Sequence, residues 1–194
     1  MVDTRVTKLL FGSYVGIVIA VLGGTLIMPE LFISFPHRGI SFWGNYFPAA
    51  IPYALGLLTS AICLAWAAYL MSDYPERLGV IRRLLLAEAL GIAVILLTPE
   101  QANMIFYWAH TLAAVYLFVL TWLGTAWIML HAGKTVFDWA LFWMLALGTI
   151  LSLFSASYVR ILGVLAFGQV LALTAGSLIV IRAVLRWSAQ EVKE

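Results

Sequence analysis

The stretch RRLLLAEALGIAVILL, residues 82–97, holds one acid, Glu88, inside an apolar run that begins with two arginines. The rest of the chain decides which solvent surrounds that acid. Of the 194 residues, 64% are hydrophobic and 10% are charged, and the mean hydropathy is +1.03. Soluble domains carry about 25% charged residues. The composition therefore predicts an integral membrane protein.

Long apolar runs between clusters of charge predict the membrane spans. A bilayer core of roughly 30 Å is crossed by a helix of about 20 apolar residues. Because the runs are continuous rather than alternating, and a lipid-facing backbone must satisfy its own hydrogen bonds, strands are not expected. The fold class is therefore all-α, a single domain (1–194) that forms an integral membrane bundle of six transmembrane helices. The spans are predicted at about 9–28, 48–71, 80–98, 104–130, 137–157 and 161–183.

The distribution of Lys and Arg predicts the orientation, because cytoplasmic loops carry an excess of both. With a cytoplasmic N-terminus, only Arg38 and Arg160 lie outside. Both termini are thus expected in the cytoplasm, and the first run is interpreted as a signal anchor rather than a removed signal peptide. The cytoplasmic side then holds Arg5, Lys8, Arg77, Arg82, Arg83, Lys134, Arg182, Arg186 and Lys193.

Small residues recur every four positions along three of the spans, which places them on one face of each helix. Such faces allow the close helix packing that holds membrane bundles together. Packing within the chain is the expectation, and a homodimer or a partner membrane subunit is the alternative. The three series are Gly12, Gly16, Ala20 and Gly24; Gly148, Ser152 and Ala156; and Gly168, Ala172 and Gly176.

Glu88 lies near the middle of the third predicted span, where an unpaired charge costs about 2.5–3.5 kcal/mol on insertion scales. We therefore expect it to face the bundle interior, either ionised or neutral and hydrogen-bonded. Gln169 is predicted as a second buried intramembrane polar residue at similar depth. The function of Glu88 stays open between a proton- or cation-coupled site, a lipid anchor and a structural clasp. Its expected partners are Thr59, Ser60, Tyr116, Thr121, Gln169 and Thr174.

A second group of polar residues is expected at the outer face. The longest loop, 29–47, reads PELFISFPHRGISFWGNYF and is too aromatic for a free tether, so it is predicted to cap the bundle. The next outer loop adds Glu100, and the fourth and sixth spans begin nearby. We predict an outer-side pocket with aromatic walls from Trp43, Tyr46, Phe47 and Trp108. Its candidate ligand-binding residues are His37, Arg38, Ser41, Asn45, Trp108, His110 and Arg160.

Metal and cofactor chemistry is not predicted for this pocket. Two histidines without a third ligand in motif spacing are a weak zinc signal, and haem is usually held by paired histidines in facing helices. His131 follows His110 by 21 residues, about 30 Å along a helix, and so belongs to the opposite membrane face. The single cysteine, Cys63, lies inside the second span and excludes an internal disulfide. No serine lies in a nucleophile elbow, and no catalytic residue is assigned.

The segment ISFWGNYFP, residues 40–48, resembles the I-S-x-x-G-x-x-x-P segment before the second helix of the DRAM family (damage-regulated autophagy modulators) and its bacterial six-span relatives. His110, followed by two nearby alanines, is similar to an early histidine in the small-residue-rich fourth helix of that family. Phe42 and Ala49 stand where the family commonly has acids. The positions that carry the resemblance are Ile40, Ser41, Gly44, Pro48 and His110.

The resemblance implies a six-helix membrane protein linked to lipid handling, lipid-anchor remodelling or membrane organisation, with no cofactor known to be shared. The expected location is a bacterial plasma (inner) membrane. Two classes of function follow. In the first, the outer-side pocket binds a lipid headgroup or another small amphiphile, with Arg38 or Arg160 contacting an anionic group. In the second, a proton-coupled transporter or membrane-embedded enzyme uses Glu88 or His110. Membrane lipids are the expected partners, and nucleic acid is not.

Overall fold

The computed structural model describes residues 4–34, 37–72, 76–132, 134–155 and 164–190, and within these ranges it contains helices and no strand. A short 3-10 helix, Ile40–Asn45, precedes the third α-helix. The α-helices are α1 (Thr4–Ile27), α2 (Leu31–Ser34), α3 (Ala50–Leu70), α4 (Glu76–Leu97), α5 (Met104–His131), α6 (Val136–Ser155) and α7 (Leu165–Gln190).

Five of the described helices, α1, α3, α5, α6 and α7, are long and apolar enough to cross a membrane. The prediction of an all-helical integral membrane protein is confirmed at this level. The helix α4 occupies the third predicted span and has 22 residues, or about 33 Å. Its length suffices for a span, but Arg82, Arg83 and Glu88 make it less apolar than the other five.

Five helices form a closed ring. In order around it, α1 packs on α3, α3 on α4, α4 on α5, α5 on α7, and α7 on α1. The helix α6 lies outside this ring, packs extensively on α7 and barely contacts α5, its predecessor in the chain. Consecutive long helices are therefore neighbours in space except at the step from α5 to α6.

The antiparallel helices give the bundle two chemically different ends. One, the loop end, carries the connections 28–49 and 98–103, and Arg38 is its one described basic residue. The other, the basic end, carries the remaining described Lys and Arg residues. This separation is the charge asymmetry that the sequence places on opposite sides of a membrane.

Close backbone contacts between small residues join α1 to α3. A Cβ atom added at Gly16 would lie 2.9 Å from the backbone nitrogen of Ser60, and one at Gly56 would lie 2.6 Å from that of Ala20. The same kind of contact joins α6 to α7, where a Cβ at Gly148 would lie 2.6 Å from the nitrogen of Ala172. The small-residue faces therefore pack against each other within the chain.

We expect Gly16→Ala and Gly56→Ala to lower the melting temperature of the purified protein. The added methyl would press on backbone atoms, and overpacking of this kind costs about 1–3 kcal/mol. Gly79→Ala is the matched control, because nothing lies within 4 Å of a Cβ at that helical position. Alanine favours a helix over glycine by about 1 kcal/mol, so the control should hold or raise the melting temperature. Equal effects at the three positions would contradict the packing.

Candidate functional site

A cavity of about 100 Å³ opens at the loop end between α3, α4, α5 and the 3-10 helix. We call it the loop-end pocket. Gly44, Ala54 and Pro99 are exposed and form part of its rim. Its polar lining consists of Ser41, Asn45, Tyr53, Glu100 and His110, and its remaining walls are Gly44, Ala50, Ala54, Ile95, Leu96 and Pro99.

His110 is held in this pocket by the turn that joins α4 to α5. Asn103 caps α5, because its side-chain oxygen accepts a hydrogen bond from the backbone N–H of Phe106 at 2.9 Å. Two turns into the helix, the His110 ring is buried and its Nδ1 lies 2.9 Å from the carbonyl oxygen of Thr98. The histidine therefore ties the start of α5 to the end of α4.

The bond to Thr98 fixes which nitrogen of His110 carries the proton. A carbonyl oxygen only accepts, so Nδ1 donates, and in the neutral ring Nε2 then presents a lone pair. Nε2 is buried and has no hydrogen-bond partner among the described residues. Since buried polar groups are nearly always hydrogen-bonded, this nitrogen is available to a bound molecule.

Asn45 supplies a second unsatisfied polar atom to the same pocket. Its Nδ2 is buried and also has no hydrogen-bond partner among the described residues. The 3-10 helix that carries it is anchored by Trp43, which is fully buried against Gly24 and whose Nε1 donates to the carbonyl oxygen of Met28 at 3.4 Å. Two residues that line the pocket thus carry one acceptor and one donor to which no described residue is hydrogen-bonded.

Glu100 is the charged residue that lines the pocket. Its Oε1 lies 3.3 Å from Nη1 of Arg38, whose guanidinium also lies 5.2 Å from the centre of the Phe42 ring. Arg38 does not line the cavity. The pocket therefore presents the Glu100 carboxylate to a ligand, while Arg38 bonds to that carboxylate from outside the lining.

Three predicted site residues, Ser41, Asn45 and His110, meet in the loop-end pocket. His37 lies elsewhere, with its Nδ1 donating to the carbonyl oxygen of Ser155 at the end of α6, 3.2 Å away. Trp108 points outward and is 48% exposed. Arg160 lies outside the described residues. Sequence reasoning missed Tyr53, a tyrosine in an apolar run that carries no sequence signal for a site.

The expected aromatic walls are absent from the lining of this pocket. Trp43 belongs to the core, whereas Tyr46, Phe47 and Trp108 are exposed. Small and aliphatic residues of α3 and α4 take their place. Gly44 adopts no left-handed conformation, and its lack of a side chain instead leaves room for the Tyr53 ring, 3.0 Å from where a Cβ would stand.

A second cavity, of about 60 Å³, lies in the middle of the five-helix ring. We call it the central cavity. Glu88 lines it, and the hydroxyl of Thr121 donates to Glu88 Oε1 at 3.2 Å. The other polar side chains of its lining are Ser13, Ser60 and Ser177.

Of the partners expected for Glu88, Thr121 bonds to it and Ser60 shares its cavity. Thr59 is exposed and donates to the carbonyl oxygen of Leu55 in its own helix. Gln169 is not at the depth of Glu88. Its Oε1 accepts from the backbone N–H of Ile40 at 2.8 Å, so it fastens the loop to α7 at the loop end.

A partly buried ionic cluster at the basic end was not predicted. Asp138, in the first turn of α6, is buried and accepts hydrogen bonds from Arg182 Nε at 2.9 Å and from Arg186. It also accepts from the backbone N–H and the hydroxyl of Thr135, at 2.7 and 2.6 Å. The cluster joins α6 to α7, and the sequence gives no sign that these two helices pair.

Histidine, cysteine and acidic side chains do not cluster in the described part of the chain. No three such residues come together there in a group that could hold a metal ion. His131 lies at the basic end, stacked on Trp127 with ring centres 4.5 Å apart. It is therefore remote from His110, which lies at the other end of α5.

Comparison with known proteins gives no relative. The sequence matches no family model, and no curated protein and no solved structure is detectably similar to it. The geometry of the two cavities is therefore the basis for assigning a function.

We expect Asp138→Asn to lower the free energy of unfolding by about 1–3 kcal/mol, because it leaves two arginines beside each other without their acid. Thermal unfolding in detergent measures this. Lys134→Gln is the control, since this lysine is exposed in the same connection and lies over Trp139 without an acid partner among the described residues. A control that loses as much stability as Asp138→Asn would show that the effect is not specific to the cluster.

Proposed function

We propose that the protein binds the hydroxyl-bearing head of a lipid, or of another small amphiphile, in the loop-end pocket. The observation that carries this proposal is the buried, unpartnered Nε2 of His110 at a cavity that reaches the surface. A hydroxyl group donates to this nitrogen and accepts from Nδ2 of Asn45. One ligand group of this type would satisfy both orphaned atoms.

Charge favours a neutral head over an anionic one. The acid Glu100 lines the pocket, whereas Arg38 bonds to that acid from outside the lining. A phosphate beside Glu100 would meet like charge, but a second hydroxyl of the ligand could donate to its carboxylate. The contact of Arg38 with an anionic group, expected from the sequence, is therefore not part of this proposal.

The size of the pocket supports partial entry of the ligand. Sites that hold drug-sized molecules span roughly 300–1,000 Å³, and this cavity of about 100 Å³ fits a head alone. An acyl chain would remain outside, against exposed apolar residues such as Ile51 and Leu55 on α3 and Ile105 on α5. The membrane would then supply both the ligand and the solvent for its chain.

Binding is favoured over catalysis at this site. A serine nucleophile is activated by a hydrogen bond to its base, and Ser41 makes no such bond to His110 although both line the pocket. The alternative is a proton-coupled transporter or membrane-embedded enzyme that uses Glu88 or His110, and the two residues line different cavities.

We also propose six spans with both termini in the cytoplasm of a bacterium, in its plasma (inner) membrane. The position of α4 supports the sixth span, because it lies between α3 and α5 in the ring and is long enough to cross the membrane beside them. The concentration of Lys and Arg at the basic end supports a cytoplasmic location for that end. The loop-end pocket then lies on the side of the membrane opposite the cytoplasm.

Kinship with the DRAM family remains a proposal. It is supported by the meeting of Ser41, Gly44 and His110, three of the positions that carry the resemblance, in one pocket. Membrane lipids are the proposed partners, and a homodimer or a further membrane subunit is compatible with the exposed apolar surface.

We expect His110→Ala to retain about 10-fold less co-purified lipid than the unchanged protein, the effect of losing one hydrogen bond of about 1.4 kcal/mol. Native mass spectrometry measures the retained species. His131→Ala is the control, because it removes a histidine from the opposite end of α5. Nanodiscs containing glucosyl diacylglycerol, with phosphatidylcholine as the headgroup without hydroxyls, test the chemistry, and added glycerol tests a soluble ligand. Unchanged retention by folded His110→Ala protein would refute the proposal.

We expect cysteines at Ser72 and Gln101, on either side of α4, to label from opposite faces of the membrane. In a Cys63→Ala background, a membrane-impermeant maleimide should label Gln101→Cys in intact cells and Ser72→Cys only after permeabilisation. Both residues are exposed at the ends of the bundle. Labelling of both from the same face would exclude α4 as a span, and labelling of Ser72→Cys from outside would reverse the orientation.

A further inference from the structure

We infer that the central cavity is a binding site for a small monovalent cation, of which sodium is the first choice. All five helices of the ring, and none of the described residues of α6, contribute to its lining. Each contributes one oxygen-bearing side chain, in chain order Ser13, Ser60, Glu88, Thr121 and Ser177. This inference does not depend on the ligand proposed for the loop-end pocket.

The charge of the cavity calls for a positive partner. Glu88 is its one acidic lining residue, and no described lining residue is basic. Arg82, earlier on the same helix, does not line the cavity. Ionised carboxylates at membrane depth are found paired or facing water-filled cavities, because an uncompensated charge there is costly. One carboxylate balances one positive charge, which selects a monovalent over a divalent cation.

The unused atoms of the lining are oxygens. Thr121 donates to Oε1 of Glu88, and the hydroxyls of Ser13 and Ser60 lie 2.8 Å apart. Oε2 of Glu88 and the hydroxyl of Ser177 have no hydrogen-bond partner among the described residues. Hydroxyls rotate and can turn their lone pairs inward. A set of carboxylate and hydroxyl oxygens is the type of ligand that hard cations take.

The volume of the cavity limits the ligand further. About 60 Å³ accommodates an ion or a few water molecules and excludes an organic cation such as N-methylglucamine. Apolar side chains surround the oxygens, among them Leu10, Leu85, Ile92 and Leu173. The five oxygen-bearing side chains therefore line a small cavity whose other walls are mainly apolar.

The test uses the full-length protein in detergent, with NaCl exchanged for N-methylglucamine chloride at constant ionic strength. Sodium should raise the melting temperature saturably, because a ligand that binds the folded state alone stabilises it by mass action. Equilibrium dialysis with radioactive sodium should give about one ion per chain at saturation. LiCl and KCl arms identify the preferred ion, and a saturable response to either in place of sodium supports the site.

Glu88→Gln should abolish the sodium response, and Ser177→Ala should weaken the apparent affinity by about 10-fold or more, a loss of one ligand. Glu30→Gln, at an exposed acid of the loop end, should leave the response unchanged. If Glu88→Gln does not fold, Ser60→Ala and Ser177→Ala provide the test, because each should weaken the apparent affinity for sodium. The absence of any saturable alkali-metal response, as expected of a carboxyl that binds only protons, would overturn the inference, as would a full response in Glu88→Gln.

Discussion

The constraint behind this structure is that a carboxyl group on a helix packed among helices apolar enough to span a membrane cannot face acyl chains. Glu88 meets it by lining a cavity inside five helices, where Thr121 donates a hydrogen bond to it. The ring is tightly packed where α1 meets α3, because Gly16 and Gly56 allow the two backbones to touch. The lipid around the bundle explains three of its features: polar groups lie inside, small residues lie between helices and large apolar residues lie outside.

The sequence predicted the helices well because length and apolarity decide a span, and each predicted span has a helix whose described ends lie within seven residues of the predicted ones. Of the six partners expected for Glu88, Thr121 is hydrogen-bonded to it, because positions along two neighbouring helices can be counted from the sequence. The sequence could not predict which helices are neighbours. The pairing of α6 with α7, and with it the role of Asp138, depends on packing between helices that the order of the chain does not reveal.

The loop-end pocket shows the same limit at the level of side-chain direction. His110, Asn45 and Ser41 could be grouped from the sequence because the predicted spans and loops place all three at the same end of the bundle. The direction of the Trp43 side chain could not be predicted from the sequence. It points into the core beneath the loop rather than into the pocket. Polar residues in loops indicate where a site lies, whereas its walls are set by tertiary packing. Ile92 and Ile95 place both cavities along one helix, α4, the most charged of the bundle.

The closure of the ring by α7 has a consequence for biosynthesis. The ribosome makes α4 well before α7, and Ser177 and the wall around Leu173 are missing until α7 has entered the membrane. During that interval Thr121 and the serines of α1 and α3 can already surround Glu88, but the wall of the cavity that α7 forms is missing. The nascent chain must therefore shelter a half-enclosed acid, by protonation or beside the insertion machinery, until its final helices arrive.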